Sequence, residues 1–228
     1  MVILFDIDGT LIDSHGAGGK ALLAALHTEF EIANAEPVAL HGRTDAGILA
    51  ELLTINGLAA SAENFQRLCQ RYLEMLPWEL HRLGGRVLPG VLAILTQLHE
   101  RSGCHLGLLT GNLPQSARMK LEHFGLWDWF EFGIFGDQVA HRPHLADPAR
   151  REANQRSGRE LPAEQIIVIG DTPLDVELAL AMQARCLGVG TGGFGTSTLL
   201  AAGACHAVED LSQTSDIFNW IFKQTELK

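Results

Sequence analysis

The feature that most limits what this chain can fold into is a series of short apolar runs without internal polar alternation. They fall at Val2–Phe5, Cys104–Leu109, Phe130–Phe135, Ile166–Ile169 and Cys186–Val189, with a weaker one at Ala204–Val208. A strand with one wet face alternates, whereas a strand of a parallel sheet covered on both faces does not. Helical patterns separate most of these runs. "GVLAILTQLHERSG" precedes the second, "PQSARMKLEHFG" follows it, and "PLDVELALAMQA" follows Ile166–Ile169. Pro114 suits the first helical position and Gly125 a helix stop. The expected fold is therefore α/β, with a doubly wound, mainly parallel sheet of the Rossmann-like kind.

One interval breaks the rhythm. Residues 14–85 hold no convincing strand but three helical patterns, Ala17–Phe30, Asp45–Asn56 and Ala62–Leu76. In the last, Phe65, Leu68, Cys69, Tyr72 and Leu76 form one apolar stripe, with Ser61 as N-cap and Pro77 expected beyond the end. This reads as a small helical domain inserted after the first strand, so residues 1–13 and 86–228 would form the core domain and 14–85 a cap. Glycines near both crossings, Gly16–Gly19 and Gly84–Gly90, suit hinges. The insert would lie over the carboxyl ends of the strands, where open α/β sheets bind ligands.

Those strand ends carry polar residues that a buried sheet does not otherwise tolerate. Asp6 and Asp8 follow the first run, and Thr110, Gly111 and Asn112 follow Leu109 just before a helix. Arg142 follows the run ending at Phe135; Asp171 follows Ile169, with Asp175 in the next helical turn. Two neighbouring carboxylates repel and are costly to bury unless a cation compensates. Asp6, Asp171 and the main-chain carbonyl of Asp8 offer hard oxygens to Mg²⁺, with Asp175 a further possible metal ligand. With charge neutralised, one carboxylate can attack phosphorus, and Asp8 can protonate the leaving oxygen and then activate water. Thr110, Gly111, Asn112 and the N–H groups at the helix start would cradle a phosphoryl group, and Arg142 would stabilise it.

"DIDGT", "LLTGN", a basic residue before proline and "GDTPLD" resemble, in order, the four motifs of the haloacid dehalogenase (HAD) superfamily. The helical insert resembles the C1 cap of its phosphoglycolate phosphatase-like branch. The resemblance implies Asp6 as nucleophile, Asp8 as acid/base, Thr110 as the second-motif hydroxyl and Asp171 as a metal ligand. It implies an aspartyl-phosphate intermediate and a small phosphorylated metabolite as substrate, phosphoglycolate-like or a sugar phosphate. A lysine is usual in the third motif, where this chain has Arg142; some phosphatases of the superfamily use arginine. Cap loops in that branch help select substrate, which makes "HGRTD" (residues 41–45) one such loop and Arg43 a candidate contact.

Two other functions share these motifs: a phosphomutase of the β-phosphoglucomutase kind, and a catalytically silent HAD-fold binding protein. Dehalogenation would leave Asp8 and Asp171 without a role. The formal net charge of −10 argues against nucleic acid as a partner. No stretch reaches the roughly 18 apolar residues of a membrane span, and no basic region precedes the first run, so a cytoplasmic protein is expected. The four cysteines form no CxxC pair, and Cys104 and Cys186 read as buried thiols. "GTGGFG" (190–195) matches a dinucleotide fingerprint in form, but it follows a late strand and reads as a loop at the crevice rim.

Overall fold

The structure is a computed structural model that describes residues 1–223 of the 228-residue chain. In chain order, β1 (Val2–Phe5) and β2 (Ile12–Asp13) precede three helices, α1 (Ala17–Phe30), α2 (Asp45–Ile55) and α3 (Ala62–Leu83). Then come β3 (Arg86–Val87), α4 (Val91–His99), β4 (His105–Leu109), α5 (Pro114–His123), β5 (Phe132–Ile134) and α6 (Ala146–Ser157). The chain continues through β6 (Ile166–Gly170), α7 (Pro173–Ala181), β7 (Arg185–Val189), α8 (Thr196–Ala201), β8 (His206–Val208) and α9 (Thr214–Phe222).

Among the described residues, a six-stranded sheet runs in the order β5-β4-β1-β6-β7-β8, with every neighbouring pair parallel. Each expected run matches one of these strands to within two residues at either end. In β1, Ile3 and Phe5 face one layer with α4, α5 and α9, while Val2 and Leu4 face the other with α6 and α7. All four side chains are fully buried, which is why no polar residue interrupts the run. The chain leaves β1 toward one side of the sheet and returns to the other, so β4 and β6 flank it. A crevice opens at their carboxyl ends.

Helices α1, α2 and α3 build a separate apolar cluster around Ala21, Leu26, Leu49, Leu53, Leu68, Tyr72 and Leu76. Thr44 caps α2 by accepting from the Gly47 N–H, and Ser61 caps α3 from the Asn64 N–H. One expectation is corrected here. Helix α3 does not stop before Pro77 but runs through it to Leu83. Proline removes one helical hydrogen bond, yet Pro77 lies on the exposed face while Leu76 and Leu80 continue the buried stripe. Burial of that stripe carries the helix across the break.

The two crossings between core and helical insert are also tied together. Strands β2 and β3 pair antiparallel, Ile12 with Val87 and Asp13 with Arg86, in a ribbon too short to leave a sequence period. Gly16, Gly84, Gly85 and Gly90 adopt positive φ around it, a conformation that favours glycine.

Candidate active site

Three parallel strands end side by side at the crevice. The Asp6 N–H extends the ladder by donating to the Ile169 carbonyl at 2.9 Å, which fixes Asp6 next to Asp171. Thr110 follows β4 and is fully buried. Arg142 arrives from a single 3₁₀ turn, Arg142–Leu145, beyond β5. Its Nη2 lies 3.0 Å from Asp6 Oδ1, bonds Asp175 Oδ1, and donates to the Leu109 carbonyl at 3.2 Å. The Arg142 guanidinium therefore lies against the Asp6 carboxylate.

Asp6, Asp171 and Asp175 are all buried, and one oxygen from each lies within 4.8 Å of the others. Burial pushes the Asp6 carboxyl up to about 6, with Arg142 pulling it back and Asp175 and Asp8 adding to the rise. Burial, then Asp175 and Asp6, push Asp171 well above the usual carboxylate range. Burial opposes the charge on Arg142, but Asp175 and Asp6 outweigh it and keep the guanidinium protonated. One guanidinium does not neutralise three buried carboxylates. Hard anionic oxygens in this number and spacing fit a divalent cation such as Mg²⁺.

Asp175, the further candidate ligand, also serves the protein's own structure. Its Oδ2 accepts from the Thr172 N–H at 3.0 Å and the Thr172 hydroxyl at 2.8 Å, a capping box for α7. Its Oδ1 is taken by Arg142. Both oxygens have protein partners, so Asp175 anchors Arg142 while one of its oxygens stays in the cluster with Asp6 and Asp171. The Thr10 hydroxyl donates to Asp171 Oδ1 at 3.2 Å, a contact the motif reading did not include.

The expected phosphate cradle is also modified. The Leu113 N–H, at the start of α5, donates to Asp45 Oδ2 at 2.8 Å, and the Asn112 N–H donates to Thr110 Oγ1 at 3.3 Å. The helix start is therefore capped by a carboxylate of the insert. Asn112 turns its amide elsewhere, with Nδ2 donating to Asp8 Oδ2 and to Thr110 Oγ1, each at 2.8 Å. Among the described residues the Gly111 N–H donates to no protein group, and it stays in the cradle with the Thr110 hydroxyl. Gly111 must be glycine, because a Cβ there would overlap the Arg43 carbonyl.

Helices α1 to α3 and the segment around residues 41–45 cover the crevice and leave a cavity of about 480 Å³. Asp6, Asp8, Thr110, Arg142 and Asp171 line its floor. The 41–45 segment docks on the core: the Asp45 N–H donates to the Gly111 carbonyl at 2.7 Å, and the Thr44 hydroxyl to the Ala140 carbonyl at 3.0 Å. Arg43 lines the cavity, but its guanidinium pairs with Glu51 and donates to the Ala39 carbonyl at 3.1 Å. The candidate substrate contact Arg43 is thus paired within the insert. The 190–195 loop sits at the rim as read, with the Thr191 hydroxyl donating to the Gly9 carbonyl at 2.6 Å. A Cβ at Gly192 would overlap the Asp171 carboxylate.

Sequence reasoning missed Lys120. Its ammonium lies 2.6 Å from Asp8 Oδ2 and 2.6 Å from Asn112 Oδ1, with the side chain only 5% exposed. The signal was its register on α5, one turn after Ala117 and beside Leu121, both fully buried.

The sequence pattern of haloacid dehalogenase-like hydrolases matches residues 3–189. The chain belongs to that family. It is 30% identical over 223 residues to a phosphoglycolate phosphatase from Rhodospirillum rubrum, covering 94% of this chain and 89% of the relative. A probable phosphatase, IndB, from Dickeya dadantii is 28% identical, covering 93% of this chain and 96% of its own. Among solved structures, CbbY from Rhodobacter sphaeroides in complex with phosphate superposes with a TM-score of 0.74 at 18% identity, covering 93% and 95% of the two chains. The relatives place this HAD hydrolase in the phosphoglycolate phosphatase-like branch. No helix among its described residues is long and apolar enough to cross a membrane.

Proposed function

We propose that this HAD hydrolase is a Mg²⁺-dependent phosphatase for small phosphomonoesters, phosphoglycolate-like or sugar phosphates, acting through an aspartyl-phosphate. The observation that carries it is the pairing of Asp6 with Arg142 beside Asp171, while Asp8 stands two residues on at the mouth of the same cavity.

Asp6, Asp171 and the carbonyl of Asp8 would hold the Mg²⁺, which when bound neutralises charge on the carboxylates and the phosphoryl group. Asp6 attacks phosphorus from the end of β1, and the bond from phosphorus to the ester oxygen breaks. Asp8 gives its proton to that departing oxygen. It then takes a proton from the water that attacks the phosphorylated Asp6, which releases inorganic phosphate and restores the Asp6 carboxylate and the Asp8 acid. Arg142, the Thr110 hydroxyl and the Gly111 N–H hold the equatorial oxygens as charge redistributes. Residues 14–85 act as a cap that excludes water and limits substrate size.

Phosphate release from a panel of small phosphorylated metabolites, with Mg²⁺ and with excess chelator, tests this reading. Mg²⁺-dependent turnover of at least one ester is expected. Isomerised sugar phosphate without phosphate release would assign a phosphomutase instead, and no turnover at all a silent binding protein.

A further inference from the structure

We propose that Lys120 is a positioning residue for Asp8, holding the acid/base carboxylate in the one orientation that serves the leaving oxygen. The inference rests on the phosphatase reading above and assigns a part to a residue outside the four motifs.

The two side chains differ sharply in burial: Lys120 is 5% exposed and Asp8 is 41% exposed. A buried ammonium is costly unless paired and hydrogen-bonded. Here it reaches out of the core to grip a carboxylate that would otherwise rotate at the cavity mouth. The grip falls on one oxygen. Asp8 Oδ2 accepts from Lys120 Nζ at 2.6 Å and from Asn112 Nδ2 at 2.8 Å. Among the described residues, Asp8 Oδ1 accepts from no side chain, and it is the oxygen left to exchange a proton with the ester oxygen and with water.

Asn112 makes the arrangement unambiguous. Its Nδ2 serves Asp8 and Thr110, so its Oδ1 must face a donor, and Lys120 supplies one at 2.6 Å. A flipped amide would set its oxygen against the Asp8 carboxylate and its NH₂ against the Lys120 ammonium, losing both of those bonds. Lys120 thereby locks the second-motif segment and the first-motif acid to a single point on α5.

The roof above Lys120 comes from the insert. A Cβ built on Gly18 of α1 would lie 3.5 Å from Lys120 Nζ and 3.7 Å from the Tyr72 hydroxyl of α3. Lys120 also eases the burial of Asp45 at the start of α2. The ammonium is dry only while these cap residues lie over it, so the orientation of Asp8 is firmest when the cap is closed.

The test uses two esters of nearly equal size and no extra charge, phenyl phosphate and p-nitrophenyl phosphate, with the full-length protein and saturating Mg²⁺. p-Nitrophenolate departs without a proton, whereas phenolate needs one, so only phenyl phosphate depends on Asp8 in the first step. Lys120→Met should lower kcat/KM on phenyl phosphate at least about fivefold more than on p-nitrophenyl phosphate, a fraction of the roughly 10²–10⁴ that a general acid contributes. Lys120→Arg, which keeps a donor toward both oxygens, should recover part of that difference. If Lys120→Met does not fold, Lys120→Gln and Lys120→Arg give the same comparison. Equal losses on both esters, or a raised KM with kcat kept, would overturn the proposal. A wild-type protein that hydrolyses neither ester would overturn the phosphatase reading itself.

Discussion

Arg142 Nη2 stands 3.0 Å from Asp6 Oδ1 and also bonds Asp175 Oδ1, so one guanidinium joins the carboxylates that close β1 and open α7. The same nitrogen donates to the Leu109 carbonyl, and the second, Nη1, donates to the Gly42 carbonyl at 3.4 Å, so the planar group reaches acceptors on both sides. A lysine in its place could hold only part of that set.

Arg142→Ala should therefore reduce kcat by roughly 10²-fold or more, the scale of losing one transition-state donor. It should also destabilise the fold by about 3–5 kcal/mol, because buried charges lose their partner. Arg142→Lys should restore only part of either quantity, read by steady-state kinetics and urea melts. Two nearby arginines serve as controls with different outcomes. Arg151 is exposed, and its alanine variant should match wild type in both assays. Arg150 donates to the Met182 and Leu161 carbonyls, so Arg150→Ala should lose stability while keeping kcat. A near-neutral Arg142→Ala would mean that the third-motif cation lies elsewhere.

Asp6→Asn should keep the fold and lose turnover by at least about 10³-fold, since no covalent path remains. Beryllium fluoride should form its adduct on Asp6 and not on Asp8. The same variant tests the electrostatics of the metal-free protein. Burial raises Asp6 from the ordinary 3.8 to about 6, so between those values the folded chain binds more proton than the unfolded one. Stability linked to this group is thus fully present below about 4 and is lost as pH rises through about 6. In chelator, the melting temperature of wild type should fall relative to Asp6→Asn across that window. A pH-independent difference between the two proteins would contradict it.

The strands were legible because burial on both faces wrote uninterrupted apolar runs, and Asp6, Asp171 and Arg142 were legible because charges at strand ends need a reason. What escaped reading depends on contacts between distant segments. Lys120 sits among Arg118, Glu122 and His123 on a short helix and looks solvated; it is buried because α1 and α3, contributed by residues far earlier in the chain, close over it. Arg43 reads in "HGRTD" as a candidate substrate contact, and the pairing that the turn into α2 gives it with Glu51 leaves no local signal. Pro77 is a local stop signal that the continuing stripe of Leu76 and Leu80 overrides.

The proposed metal dependence is tested by removing and replacing the cation that the buried carboxylates would hold. Excess EDTA should abolish phosphate release and Mg²⁺ should restore it. Ca²⁺ should raise the melting temperature by binding yet support little turnover, because its larger and looser shell misplaces the attacking carboxylate. Undiminished activity in excess chelator would refute the assignment of Asp6 and Asp171 to a metal.

The insert contacts the core through Asp45, whose Oδ2 accepts from both the Leu113 N–H and the Ser116 hydroxyl. Arg43, two residues earlier, instead pairs within the insert to Glu51. The two side chains should fail differently. Asp45→Ala removes the latch and uncaps α5, so KM should rise for every ester and protease cleavage near Gly16–Gly19 or Gly84–Gly90 should quicken. Arg43→Ala breaks only the pair with Glu51, so Arg43→Ala and Glu51→Ala should shift KM by the same small factor. If Arg43→Ala alone raises KM, and does so in a way that reorders substrates, its guanidinium leaves Glu51 to contact the substrate. Equal protease sensitivity of Asp45→Ala and wild type would show that the 41–45 segment does not hold the cap shut.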